Sequence, residues 1–255
     1  MKRIIGLLAL AALLVTPTLA FATGQTGVYV APKFVFGGIM GDVKGSENWY
    51  DDQGDFMQGS SGKMRMSDHV FGGAIAVGYD FNKRLGVPVR LELEYALFSN
   101  AKAKSSDRWR EDSGDWERES STNTIGVQTL FANAYYDFHN SSAFTPYLGL
   151  GLGMAFVDMK ESGSASRSES GVLESKSWSM GKKSSTNFAW NLGAGVAYAF
   201  TDNVSLDLGY RFVGLGKGKT KKGSFIDDDD NVWRGQNKTS NLYMHQVALG
   251  LRFSF

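Results

Sequence analysis

Residues 245–255 read HQVALGLRFSF, and the fold turns on this stretch. Val247, Leu249, Leu251, Phe253 and Phe255 share one side of an extended chain, because successive side chains of a strand alternate faces. Gln246, Ala248, Gly250 and Arg252 take the other side. The alternation runs to the last residue, where fraying is the ordinary expectation. A last strand stays paired when its neighbour is the first strand of the same sheet, as in a closed barrel.

The same period recurs upstream. Val89, Leu91, Leu93, Tyr95 and Leu97 alternate with Arg90, Glu92 and Glu94. Val204, Leu206, Leu208, Tyr210 and Phe212 alternate with Ser205, Asp207, Gly209 and Arg211. Read with period two, the chain divides into eight strands, at 26–38, 67–81, 87–99, 122–138, 144–158, 186–200, 204–215 and 241–255. One conflict of phase stands out. Ile125 and Val127 fall out of step with Leu130, Ala132, Ala134, Tyr136 and Phe138. A bulge near Gln128, or a later strand start, would reconcile them.

Two sheet architectures alternate in this way. A soluble sandwich buries its apolar face, whereas an outer-membrane barrel turns that face to lipid and its polar face to the lumen. The connections discriminate. Strands two, four and six are followed by the short segments NKRLG, HNSSA and TDN. Strands one, three, five and seven are followed by long polar segments rich in Ser, Gly and charge. Short turns at one end and long loops at the other are the barrel pattern. Such loops bury little apolar area and are expected to be mobile. The aromatics agree. Tyr79, Phe81, Tyr136, Phe138, Phe144, Tyr198 and Phe200 gather at the short-turn end, and Phe36, Phe71, Tyr95, Phe188, Trp190 and Tyr243 at the other. Two belts with aliphatic residues between them suit a lipid-facing surface. The expected fold is all-β, a closed antiparallel eight-stranded transmembrane barrel with four long extracellular loops and short periplasmic turns.

Composition narrows the classes further. Residues 1–22 carry Lys2 and Arg3, a short apolar run and a small-x-small ending, and read as a signal peptide, with a barrel domain at 23–255. Without Lys2 and Arg3 the formal charge falls from +1 to −1, which gives no electrostatic case for nucleic acid. The chain has no cysteine, so disulfide frameworks and thiolate metal sites are excluded.

The segments ANAYYDF (132–138), PYLGLGLG (146–153), GAGVAYAF (193–200) and the closing LGLRFSF carry a family likeness. The chain resembles the eight-stranded outer-membrane barrels of the opacity-protein and OmpA-like surface-antigen group. The resemblance implies a bacterial outer-membrane location with both termini in the periplasm. Leu251, Phe253 and Phe255 resemble the terminal signal read by the barrel-assembly machinery. Outer-membrane lipid and lipopolysaccharide are the implied surroundings, and the loops could meet an extracellular protein or glycan.

Chemistry is sparse in this reading. Lys33, Arg90, Glu92, Glu94, Asp137, Asp207, Arg211 and Arg252 face inward, four positive and four negative. Small residues on strands five and six, among them Gly149, Gly151, Gly193 and Gly195, leave them room. Buried charges must pair, so a salt-bridged plug is expected, with a narrow ion-conducting pore as the alternative. GLGLG at 149–153 lacks the strand–turn–helix context of a nucleotide loop. The acidic run at 227–230 lacks the ligand spacing of a calcium loop and reads as a solvated charge run beside Lys217, Lys219, Lys221 and Lys222. Those lysines could also attract anionic lipid or glycan. His69 and His245, with Ser67 and Ser240, are the residues a lipid-modifying enzyme would offer near the outer rim, and no pairing motif surrounds them. His139 lies at the opposite end. Trp49, Trp109, Trp116, Trp178 and Trp233 are candidate loop contacts, since aromatic anchors are common in binding hot spots. No catalytic, cofactor-binding or metal-ligating set is expected. The functional expectation is a non-enzymatic surface barrel, structural or adhesive, with a small porin and a lipid-modifying enzyme as alternatives.

Overall fold

A computed structural model describes residues 26–110, 115–169, 172–226 and 231–255. The expected leader at 1–22 and the acidic run at 227–230 lie outside them. The described residues form β1 (Val28–Tyr50), β2 (Phe56–Asp80), β3 (Val89–Phe98), β4 (Ala101–Arg110), β5 (Trp116–Asp137), β6 (Phe144–Glu169), β7 (Val172–Ala199), β8 (Val204–Gly216), β9 (Gly223–Ile226), β10 (Val232–Thr239) and β11 (Leu242–Ser254).

These strands build an eight-walled ring. β1, β2, β3, β5, β6, β7, β8 and β11 are neighbours in turn, all antiparallel, and β11 pairs back onto β1. At the seam the Phe255 amide donates to the Val28 carbonyl at 2.9 Å, and the Thr26 hydroxyl donates to the Phe255 carbonyl at 2.7 Å. The β1–β11 ladder skips Ala31 and Pro32, where proline has no N–H to give. β4 extends the line of β3 along β5, and β10 extends β11 along β1.

The outer face carries the apolar set. Phe34, Phe71, Leu93, Leu150, Leu192, Leu208 and Leu249 are all exposed. On β1 the outward positions stay apolar from Val28 to Met40 and turn polar at Asp42 and Lys44. Twelve steps of about 3.3 Å, tilted by about 40°, give a band about 30 Å tall, the thickness of a bilayer's hydrocarbon. Edge-on aromatic pairs mark its lower border, Tyr79–Phe81 at 4.8 Å and Tyr136–Phe138 at 5.0 Å between ring centroids. Trp190–Phe212 at 5.8 Å and Phe212–Tyr243 at 5.5 Å mark the upper one.

One helical turn, Asn82–Leu85, makes the first short connection and ends on Gly86, whose φ of 67° suits glycine. The long connections differ from the expectation of mobile loops, because most of their length is paired strand. β1 and β2 stay in register up to Trp49 opposite Gln58, and the hairpin closes where the Asp51 carboxylate accepts the amides of Gln53 and Asp55. β6 and β7 have 26 and 28 residues, more than twice the ~9–11 a membrane strand needs. A stem therefore rises beyond the apolar band. Its backbone bonds need no apolar alternation, which is why hydrophobic periodicity did not mark it.

The phase conflict on β5 resolves without a bulge. β5 pairs with β6 continuously from Trp116 to Asp137. Ile125, Val127, Thr129 and Phe131 simply continue the inward row of Asn133 and Asp137, all buried. The expectation that the interior is polar throughout needs correcting on the same ground. Above the charged residues the lumen holds an apolar core that includes Val35, Ile39, Met66, Phe98, Ile125, Phe131, Val157 and Leu215.

Candidate functional site

The eight inward charges come together in the lower half of the lumen. Lys33 Nζ donates to Glu92 Oε1 at 2.6 Å and to Glu94 Oε2 at 2.7 Å. Arg211 reaches the other oxygen of Glu94 at 2.5 Å. Arg90 grips Asp137 with two parallel bonds, Nε to Oδ2 at 2.6 Å and Nη2 to Oδ1 at 2.9 Å, the geometry in which guanidinium and carboxylate fit best. Arg252 lies 3.5 Å from Asp207 and donates to Ser205 Oγ at 3.0 Å.

Strand alternation explains the convergence. Arg90, Glu92 and Glu94 lie on one face of β3, while Lys33, Asp137 and Arg211 arrive from β1, β5 and β8 with the same inward phase. Tyrosines complete the set. The hydroxyls of Tyr29 and Tyr135 donate to Glu92 at 3.2 and 3.1 Å, and the Arg90 guanidinium stacks over Tyr135 and Tyr147. Gln246 accepts from Arg211, and Asn191 donates to Asn133 at 3.0 Å. These neutral partners were less conspicuous in the sequence than the charges, although the same two-residue phase points Tyr29 and Tyr135 inward.

Glycines make the room. A Cβ on Gly149 would lie 2.5 Å from the Tyr135 ring, and one on Gly195 would lie 2.4 Å from the Tyr147 ring. The cavity left among these groups is about 50 Å³, space for a water or two. The apolar core lies above it.

The stem offers a different chemistry on its outer wall. Lys44 on β1 stands directly opposite Lys63 on β2 and Lys238 on β10, and Lys238 in turn faces Lys219. Four lysines thus lie in one cross-strand row just above the apolar band. Like charges directly opposite one another are destabilising. Lys63 is offset by Asp42 at 3.2 Å. Lys44, Lys219 and Lys238, joined by Lys183 and Lys217, line an open groove whose other lining residues, among the described ones, are neutral. Of the four lysines expected beside the acidic run, Lys217 and Lys219 enter this groove. The Lys221 amide bonds to the Gly181 carbonyl, and the Lys222 side chain is exposed.

Trp109 is exposed, whereas Trp116 carries the Arg108 guanidinium at 5.4 Å and Trp178 lies over Gly163. Trp49 and Trp233 face each other across β1 and β10. Leu251 is exposed on the lipid face, with Phe253 below it and Phe255 at the seam. His69 and His245 flank Gly38 from either side on the outer wall. His69 stacks on Phe36, and His245 bonds the Tyr210 hydroxyl at 2.6 Å. Ser240 Oγ accepts the Asp42 amide.

Residues 7–255 match the family described as the outer membrane protein beta-barrel domain. The chain is 33% identical over 236 residues to the outer membrane protein PagN of Salmonella typhimurium (strain LT2), covering 92% of this chain and 93% of PagN. It is 28% identical over 216 residues to a Rickettsia bellii (strain OSU 85-389) protein provisionally named an adhesin, covering 82% of this chain and 89% of that protein. The crystal structure of Neisserial surface protein A aligns over 91% of this chain and 99% of its own, at 21% identity and a TM-score of 0.44.

Proposed function

The chain belongs to the outer membrane protein beta-barrel domain family, and from that premise we propose that it is a non-enzymatic adhesive barrel whose stem holds polyanionic glycan. In this reading both termini lie in the periplasm and the stem stands outside the cell. The observation that carries it is the row Lys63–Lys44–Lys238–Lys219 with its groove, which no carboxylate lines among the described residues. A sulfated or phosphorylated sugar would supply counter-charges to the groove lysines Lys44, Lys219 and Lys238. The adhesin name of a relative supports the same reading. Leu251, Phe253 and Phe255 serve assembly, and Trp109 is an exposed stem aromatic open to a further loop contact.

The test is retention of the detergent-folded protein on a heparin or dextran-sulfate matrix. Lys44→Gln with Lys238→Gln should lower the eluting salt concentration and reduce the salt dependence of binding. Retention equal to that of the parent protein would contradict the proposal. Of the alternatives, a porin is disfavoured by the small lumenal cavity under an apolar core, and a planar bilayer containing the protein should stay silent. A lipid-modifying enzyme is disfavoured because His245 is committed to Tyr210 and His69 to the face of Phe36. Exchanging both histidines for alanine should leave lipid A unchanged.

A further inference from the structure

The inner wall of the stem carries a second charged assembly of opposite sign. Above the apolar core, a cavity of about 300 Å³ opens toward the stem's end, lined by Glu47, Asp107, Glu119 and Glu161. They come from β1, β4, β5 and β6. Asp107 and Glu119 stand directly opposite each other on paired strands, on one face, where like charges repel. Of the described lining residues Lys63 is the cation, and its ammonium is paired with Asp42, an outward position of β1.

Glu161 marks the base. It is only 7% exposed, and among the described residues its Oε2 has no hydrogen-bond partner. Burial and the charges of Glu47 and Glu119 push its carboxyl above the usual range, against hydrogen bonds from Asn237 and Asn123. Burial and the charges of Glu47, Glu117 and Asp107 do the same to Glu119. Beneath them, Asn237 Nδ2 donates to Asn123 Oδ1 at 3.1 Å and closes the floor. A buried, partnerless carboxylate oxygen facing a cavity walled by further carboxylates calls for a counter-cation.

We propose that this mouth binds a hydrated divalent cation, with calcium the best fit, through Glu161 and Glu119 and the surrounding charges of Glu47 and Asp107. The polar side chains lining the cavity, besides the ammonium paired with Asp42, are carboxylates, amides and hydroxyls, the oxygen-rich set that hard cations prefer. Among the described residues no three acidic groups converge closely enough to hold a bare ion. The ion therefore keeps part of its water shell, and calcium's flexible coordination tolerates that spread better than magnesium's strict octahedron. Bound there, it ties four strands of the stem together. The site lies on the inner wall, apart from the lysine groove, and does not depend on glycan binding.

Titration calorimetry with calcium chloride tests it, using protein folded in a zwitterionic detergent free of lipopolysaccharide. Saturable binding of one equivalent is expected, with a Kd of about 10⁻⁴–10⁻³ M, as in extracellular calcium modules. Glu161→Gln and Glu119→Gln should each weaken it by about tenfold or more. Asp158→Asn, which removes an outer-wall carboxylate paired with Lys182, should leave it unchanged. Should Glu161→Gln fail to fold, Glu47→Gln at an exposed position carries the same expectation of weaker binding. No saturable calcium binding, unchanged binding in the glutamate variants, or binding of spermidine in place of calcium would each overturn the proposal.

Discussion

Arg90 and Asp137 are 3% and 4% exposed, and each is the other's principal partner. Removing one leaves a buried charge uncompensated, which costs about 3–5 kcal/mol, whereas replacing both with apolar residues of similar volume is far milder. Arg90→Ala or Asp137→Ala should therefore destabilise the barrel strongly, and Arg90→Met with Asp137→Leu much less, as measured by urea unfolding in lipid vesicles. A double variant no better than the worse single variant would contradict the pairing. The glycines make a complementary prediction. Gly149→Val drives a side chain into the Tyr135 ring and should cost about 1–3 kcal/mol, with partial rescue by Tyr135→Ala. At this scale the sequence was highly legible, because a two-residue period assigns Lys33, Arg90, Glu94 and Arg211 to one interior without any structure. Which charge meets which was not legible, since pairing depends on strand stagger and on side-chain reach across the lumen.

Among the elements, the hairpins of the stem are the main departure from expectation. Segments rich in Ser, Gly and charge carry no alternating apolar signal, so β1 beyond Gly38 and β2 before Ser67 read as loop. Their ladder is continuous nevertheless, because each strand inherits its register from the membrane-spanning part below. Amides of residues 43–49 should accordingly exchange with deuterium far more slowly than those of the turn around Gly54. Uniformly fast exchange would return the segment to a loop. Gly54 itself has φ of 88°, so Gly54→Ala should destabilise the hairpin tip by about 1–2 kcal/mol. The β1–β11 seam was the most legible element. An alternating tail implies a partner strand, and β1 supplies one. On β5 the out-of-phase residues Ile125 and Val127 were a true signal misread. They announced an apolar interior rather than a bulge, and only the relative height of the strands separates those meanings.

For the whole molecule, the interior falls into three tiers: a salt-bridged lower lumen, an apolar middle and a carboxylate-lined mouth. The outside falls into two, a lipid-facing band and a stem whose wall carries the lysine row. The lower two inner tiers pack the lumen with side chains, the mouth and the lysine row make surfaces of opposite sign, and the paired stem carries both. The charge of the mouth was illegible in sequence, because Glu47, Asp107, Glu119 and Glu161 lie in segments assigned to three different loops and only the ladder brings them to one inner wall.

All of this depends on the outer band touching hydrocarbon. The chain has no cysteine, so one introduced cysteine gives a single labelling site. Spin labels placed in turn at outward positions 30, 34, 36, 40 and 44 of β1, in phospholipid vesicles, report collision rates with oxygen and with a water-soluble nickel chelate. The account predicts oxygen-dominated collisions at Val30, Phe34 and Phe36, a decline at Met40, and chelate-dominated collisions at Lys44. Ready access of the chelate to all five positions would contradict it.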